Sequence, residues 1–286
     1  MNMKDKVHVV MVADKAYEKG LEVAKASMIG SCSDPDRIEF HIFREEPELS
    51  ERMRREFGTY RGSPMTFVRL YLGELLPDVD WLVYSDVDTV WRRDVLELAS
   101  LFDESKTIQW VKDFDWAAEG LVRWCRERSV PTGDFVPERY ACAGVCIMNL
   151  KRWRERDVLL RCQRFAQEYG CPKYPDQDIQ NIVLASEAGL LPSWWDVLIP
   201  TPEDTKNCVL HLISVGQCFQ RPYNGRVPEY LYWEHLARGR PFKRPLALPF
   251  HVRRWFVRLC FPFLGKYSCE RIRRRLAWRW FLCRVV

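Results

Sequence analysis

The sequence predicts an α/β protein with a mainly parallel central sheet flanked by helices. Three observations carry this. Short apolar runs without polar alternation read as strands buried on both faces. They alternate with helical patterns through residue 150, as in sheets covered on both sides. Two of them end on carboxylates, and in open α/β sheets ligands bind beyond the carboxyl ends of the strands. With 286 residues, 47% of them hydrophobic, the chain can bury one large core.

Taken in order, Val7 to Ala13 is rich in β-branched residues and ends at Asp14, so it reads as a buried strand. Tyr17 to Ile29 follows as a helix with Leu21, Ala24 and Met28 on one face. Ser33-Asp34-Pro35-Asp36 is a turn leading into a second strand, Ile38 to Phe43. Glu48 to Phe57 is a charged surface helix. Pro64 to Leu76 is another, turning Phe67, Leu70, Tyr71, Leu75 and Leu76 inward until Pro77 stops it. The strand Trp81 to Ser85 then runs into Asp86-Val87-Asp88. Val95 to Phe102 is expected as a short helix and Ile108 to Val111 as a strand. Asp115 to Tyr140 shows no clear period and is read as loop. Ala143 to Asn149 is a strand, Lys151 to Tyr169 one continuous helix, and Asp176 to Ala185 a helix with an acidic start.

The net charge of +5 hides a division. Residues 238–286 hold 14 Lys and Arg against one acid, Glu270, a net of +13; the preceding 237 residues hold the remaining 30 basic and 38 acidic side chains, a net of −8. The expected organisation is therefore an acidic domain over 1–237 and a basic tail over 238–286. Val7 to Ala13 is too short for a signal peptide, and no stretch approaches the roughly 18 apolar residues of a membrane span. The eleven cysteines show no paired spacing and are expected as reduced thiols that pack as small hydrophobes. Cys142 and Cys146, four apart on one strand, are expected on the same side and too far apart to bridge.

Chemistry concentrates at Asp86 and Asp88. Two carboxylates one residue apart repel unless a cation lies between them, and oxygen ligands suit Mg²⁺ or Mn²⁺. A hard divalent ion in turn holds a diphosphate. An acidic strand-to-loop turn is the plain alternative.

Several segments in order extend this pattern: Val10-Met-Val-Ala-Asp14-Lys-Ala-Tyr17, Thr66-Phe-Val-Arg69-Leu, Tyr84-Ser-Asp86-Val-Asp88, Ala143-Gly144-Val-Cys-Ile-Met-Asn149, Asp176-Gln177-Asp178-Ile-Gln-Asn181, and His211. Together they resemble glycosyltransferase family 8, the retaining nucleotide-sugar transferases of the GT-A fold. The resemblance implies Asp86, Asp88 and His211 as ligands of Mn²⁺ (or Mg²⁺), which stabilises charge on departing UDP. It implies a UDP-sugar donor, with Asp14 at the uracil, Tyr17 stacked on it, and Arg69, Val87 and Gly144 along the donor site. Without the resemblance, Asp14 reads as a helix cap, Tyr17 as a core aromatic, Arg69 as a solvated helix charge and His211 as a buried histidine. Gln177, Asp176 and Asp113 are implied at the sugar, with Asp115 competing for the role of Asp113. A retaining glycosidase uses a carboxylate nucleophile; an amide at Gln177 implies same-face attack instead, with Gln177 steadying the sugar and Asp176 holding its hydroxyls.

The chain also departs from the family pattern. Cys142 stands where an asparagine is usual, Ala16 where another is expected, and the Lys-Pro-Trp that follows the histidine is replaced by Arg221-Pro222-Tyr223, or by Gln217. Arg221 is the expected phosphate clamp. In the tail, Ile272, Leu276, Trp280 and Phe281 line one side of a helical pattern with arginines opposite, a composition that suits an anionic bilayer surface. The expectation is a hexosyltransferase acting on a lipopolysaccharide core or another lipid-linked bacterial glycan, peripheral on the inner face of the cytoplasmic membrane. No nucleic acid is expected as a partner. A nucleotide-sugar sensor without turnover is the competing class, and a metal-dependent phosphoesterase a third.

Overall fold

The computed structural model describes residues 6–198 and 207–212. Its elements are β1 (Val7–Val12), α1 (Glu18–Ser31), β2 (Ile38–Phe43), α2 (Pro47–Phe57), α3 (Val68–Leu75), β3 (Trp81–Ser85), β4 (Thr89–Trp91), α4 (Val95–Ala99) and β5 (Ile108–Lys112). Then come α5 (Asp115–Arg128), β6 (Ala141–Asn149), α6 (Leu150–Glu155), α7 (Val158–Tyr169), α8 (Pro175–Val183), β7 (Ala188–Leu191) and β8 (Val209–His211). Six strands form one sheet in the order β2-β1-β3-β6-β5-β7, and β4 pairs with β8 in a separate ribbon. β6 runs against both its neighbours while the other pairings are parallel. Five of the six strands thus point one way, as the sequence predicts.

The strands lack polar alternation because both faces are covered. Val10, Leu82, Tyr84, Trp110, Cys146 and Met148 face a core shared with α2, α3 and α5 to α8. Val9, Met11, Val83, Val145 and Ile147 face a second core with α1 and α4. All nine residues of β6 are buried, as a central strand of small and apolar residues ending at Asn149 allows.

The structure corrects the sequence reading in four places. Asp115 to Tyr140 is not all loop: α5 occupies half of it, burying only Ala117, Ala118, Leu121 and Cys125. Small inner residues hide a helical period that larger ones would announce. The segment Lys151 to Tyr169 is two helices, broken where Asp157 takes a left-handed conformation (φ 49°). The helix expected from Val95 to Phe102 ends at Ala99. Finally, β5 and β6 shift register between Trp110 and Val111: Trp110 faces Cys146 but Val111 faces Cys142, so Ala143, Gly144 and Val145 have no partners on β5. That bulge breaks the alternation between the two cysteines. Cys146 packs in the first core, whereas the Cys142 sulfur faces His211. The cysteines of the described residues are all free thiols. Arg221, Gln217 and the 238–286 tail lie outside the described residues. No helix among the described residues is long and apolar enough to cross a membrane.

Candidate active site

The carboxyl end of β3 carries Asp86, whose backbone N–H donates to the Gly144 carbonyl at 2.7 Å. One turn later β4 pairs antiparallel with β8, setting Thr89 opposite His211. The Leu212 N–H donates to the Asp88 carbonyl at 2.8 Å and closes this junction. A histidine 123 residues away is thereby fixed beside Asp88. His211 Nε2 lies 3.1 Å from Asp88 Oδ1 and 3.8 Å from Asp86 Oδ2. Its other nitrogen, Nδ1, lies 2.8 Å from Oδ1 of the fully buried Asp196. A carboxylate on one imidazole nitrogen sets the tautomer and aims the other at a metal. The ligating atoms of Asp86, Asp88 and His211 all fall within 4.8 Å of one another. Two oxygens and one nitrogen so converged fit a divalent ion of the magnesium or manganese type.

Charge at this junction is tightly balanced. Burial, with the neighbouring Asp88 adding to it and Arg69 opposing, pushes the Asp86 carboxyl up to about 6. Burial acts in the same direction on Asp88, but the adjacent His211 imidazolium outweighs it and holds that carboxyl below its ordinary value. For His211 itself, burial is overcome by Asp196 and Asp88, which hold the imidazole well above its usual range. Burial pushes the Cys142 thiol far up, so it packs as a neutral group 3.9 Å from His211 Nδ1.

Arg69 is buried at 5% exposure rather than solvated. Its guanidinium lies 2.8 Å from Asp86 Oδ1 and 2.9 Å from Asp176 Oδ2, and donates to the Ala143 carbonyl at 2.6 Å and to the Tyr84 hydroxyl at 3.1 Å. It is a clamp that joins the metal-type acids to the start of α8. Thr66 donates to the other oxygen of Asp176 at 2.9 Å. Gln177 is held at both ends. Its amide nitrogen donates to Asp113 Oδ2 (2.8 Å) and the Tyr140 hydroxyl (2.7 Å), and its oxygen accepts from the Ala143 N–H at 3.0 Å. Tyr140 donates onward to Asp178 Oδ1 at 2.6 Å. Asp178 is sealed behind this chain, and burial pushes its carboxyl up to about 7. Asp115 instead sits on the surface, paired with Lys112, so Asp113 takes the inward position.

The bulge in β6 explains why so many of these contacts meet. Freed from β5, Ala143 offers its N–H to Gln177 and its carbonyl to Arg69, while Gly144 lies directly under the His211 ring. A β-carbon at Gly144 would stand 2.1 Å from His211 Cε1. Gly144 is therefore required by close approach of a side chain.

In front of the acids opens a cleft of about 550 Å³ lined by Asp14, Tyr17, Arg61, Arg69, Asp86, Val87 and Asp88, among others. Asp14 is not a helix cap; its Oδ1 accepts from the Ala16 N–H at 2.8 Å in a local turn. Tyr17 packs partly on the second core and still borders the cleft. Burial raises its phenol, and the charge of Asp88 adds to that. Sequence reasoning missed Arg61, which the tight turn Tyr60-Arg61-Gly62-Ser63 holds at the cleft in a left-handed conformation (φ 52°). Consecutive positive φ at Arg61 and Gly62 suit a two-residue hairpin, and an Arg-Gly pair there was the signal. It also missed Tyr140 and Asp196, and it quoted Thr66 only as part of the segment Thr66 to Leu70, without its role at Asp176.

A sheet of this order, with acids at the strand ends facing a cleft, defines a GT-A-type glycosyltransferase fold. The galactosyltransferase LgtC, solved with donor and acceptor sugar analogues, superposes with a TM-score of 0.60 over 86% of this chain and 99% of its own, at 21% identity. The profile of Glycosyl transferase family 8 matches residues 54–213, more than half of the chain. The chain belongs to glycosyltransferase family 8. Among curated relatives, a probable galacturonosyltransferase-like 3 of Arabidopsis thaliana is 24% identical over 55% of this chain and 54% of its own length. A lipopolysaccharide 1,2-glucosyltransferase of Escherichia coli K12 is 22% identical over 72% of this chain and 67% of its own. The chain thus spans about half the length of the first of these.

Proposed function

We propose that this glycosyltransferase moves a hexose from a UDP-sugar to a glycan acceptor with retention at the anomeric carbon. One observation carries the reading: Asp86 and Asp88 line a cleft whose wall is Asp14 and Tyr17, and His211, buried behind them, converges on both acids. Those three residues would hold Mn²⁺ or Mg²⁺, which supplies Lewis-acid stabilisation of the diphosphate leaving group. Tyr17 offers a ring to the base and Asp14 its free carboxylate oxygen. Arg61 at the mouth complements phosphate charge.

Retention by same-face attack is supported by how the α8 acids are used. Asp176 is occupied by Arg69 and Thr66, and Asp178 by Tyr140 and the Tyr174 N–H. Neither carboxylate is free to act as a nucleophile. Gln177, fixed by Asp113, Tyr140 and Ala143, presents an amide dipole in their place. For the acceptor, Trp116 on α5 leaves 54% of its surface exposed two residues past Phe114, which directly follows Asp113. Its neighbours Phe114 and Tyr174 make an aromatic rim on which a pyranose can stack. The acceptor in this reading is a lipid-linked bacterial glycan such as a lipopolysaccharide core. Residues 1–237 form the catalytic body, and the 14 basic residues of 238–286 draw it to the anionic cytoplasmic face of the membrane.

The test is release of UDP from a panel of UDP-hexoses by the full chain with Mn²⁺. One donor should be consumed slowly without acceptor and faster with it, and Asp88→Asn should abolish both rates. Binding without turnover would make the protein a sensor, and cleavage of generic phosphoesters a phosphoesterase. For the tail, the full chain should pellet with anionic liposomes and lose that property when Arg273, Arg274 and Arg275 become Gln. Equal pelleting of both would remove the membrane from the proposal.

A further inference from the structure

A second group of potential ligands stands at the other end of β1. His8 on β1 pairs in register with Glu39 on β2, and Val10 pairs with His41. Residues two apart on a strand share a face, so Glu39 and His41 point the same way, with His8 beside them on the adjacent strand. His8 Nδ1 lies 2.9 Å from His41 Nε2. Glu39 reaches both rings, with Oε2 3.7 Å from His8 Nδ1 and Oε1 3.8 Å from His41 Nε2. One atom from each residue falls within 4.8 Å of the others.

These separations have a specific chemical meaning. In a tetrahedral site with metal–nitrogen bonds of about 2.0–2.1 Å, ligand atoms lie roughly 3.3 Å apart. The two nitrogens stand 2.9 Å apart and each has its own Glu39 oxygen at 3.7 or 3.8 Å, so closing the site takes a turn of the Glu39 carboxylate that brings one oxygen to both rings. The two imidazoles are tilted by 39°, not stacked, and meet through their nitrogens. Glu39 is half-exposed, which opens the fourth position to water.

We propose that His8, Glu39 and His41 form a binding site for a divalent ion of the zinc type, separate from the acids of the cleft. Two nitrogens and one carboxylate favour zinc, cobalt or nickel over the harder magnesium or manganese. His8 lies four residues along β1 from Val12 at the cleft, roughly 13 Å away, so this ion touches no donor group. It would fasten the edge strand β2 to β1. Its effect is on stability, since it would add to the backbone ladder and replace the His8–His41 side-chain contact that already joins the two strands.

The experiment uses tag-free full-length protein, stripped of metal, in the Asp88→Asn background so that the cleft site is disabled. Zinc titration should show one equivalent of micromolar affinity beyond whatever the thiols take up, and saturating zinc should raise Tm. His8→Gln with His41→Gln should weaken zinc binding by at least about 100-fold and remove the Tm rise. Uptake by thiols is common to both chains and cancels in the comparison. An unchanged isotherm and an unchanged Tm rise in the double variant would overturn the proposal. Should that variant fail to fold, zinc protection of His8 and His41 from diethylpyrocarbonate in the Asp88→Asn chain decides instead. Protection supports the site, and unimpeded modification refutes it.

Discussion

Gly144→Ala is the sharpest single perturbation of this site. The residue has no need of glycine's backbone freedom, since its φ is not in the left-handed region. Only the added methyl matters. That carbon would stand 2.1 Å from His211 Cε1, 2.7 Å from Nδ1 and 3.1 Å from Nε2. Carbon atoms pack at about 3.5 Å or more, so the ring must retreat by roughly 1.4 Å. Retreat breaks the 2.8 Å contact to Asp196 and the 3.1 Å contact to Asp88 together. The alternative is for β6 to yield. Its bulge is pinned by Arg69 and Gln177 at Ala143 and by the Asp86 N–H at Gly144 itself, so that movement carries Asp86 with it. Either route separates His211 from the acids by far more than the ~0.2 Å that a metal site tolerates. The stability cost of overpacking is about 1–3 kcal/mol, leaving the protein folded. Mn²⁺ affinity and UDP release should each fall at least about 100-fold. Gly120→Ala is the internal control: on exposed α5, with nothing within 4 Å of the new methyl, it should be neutral or stabilise by about 0.5–1 kcal/mol. If Gly144→Ala binds Mn²⁺ within threefold of the parent chain, the placement of His211 over Gly144 is wrong.

Three further outcomes follow from the same contacts. Arg69→Met strands Asp86 and Asp176 without their shared cation and should cost about 3–5 kcal/mol in urea unfolding; a loss below 1 kcal/mol would show that the clamp is not structural. Asp178, with a native carboxyl near 7 against about 3.9 unfolded, binds more protons folded than unfolded between those values. Stability therefore falls as pH rises from about 4 to 7 and levels off above, by up to roughly 4 kcal/mol. Asp178→Asn removes this slope, so the difference in stability between variant and parent must grow in favour of the variant across that window; parallel curves would refute it. Trp116→Ala should raise the acceptor KM about tenfold while leaving UDP-sugar hydrolysis without acceptor within twofold, matching about 1.4 kcal/mol of aromatic stacking. Equal losses in both assays would move Trp116 from the acceptor to the fold.

What was legible in the sequence is what local chemistry writes there. Val7 to Ala13 and Trp81 to Ser85 read as buried strands because both faces of the sheet are covered, and the acids at their ends read as ligands because strand ends face the cleft. Long-range register was not legible. Nothing local in Val209-Leu210-His211 says that it pairs with Thr89-Val90-Trp91, yet that pairing brings His211 beside Asp88. The β5–β6 shift is likewise a tertiary property, although Gly144 in a run of larger apolar residues marks where it falls. Arg69 was expected to face the donor. It borders the cleft, but its guanidinium is already committed to Asp86 and Asp176, a fact visible only once α3 and α8 meet.

The charge distribution gives the site its direction. Asp86, Asp88, Asp113, Asp176, Asp178 and Asp196 are gathered around Arg69 and His211, the cations that the described contacts place among them. Arg69 serves two acids and His211 three, so neither has charge to spare for an incoming anion. A diphosphate approaching Asp86 and Asp88 is therefore repelled at close range unless a divalent cation lies between. Arg61 alone does not reverse this, because it stands exposed at the mouth, where water screens it. In the proposed function, nucleotide-sugar affinity should therefore depend on a divalent ion. A donor that bound equally well with and without a divalent ion would contradict the arrangement of Asp86, Asp88 and His211, whatever the rate of transfer.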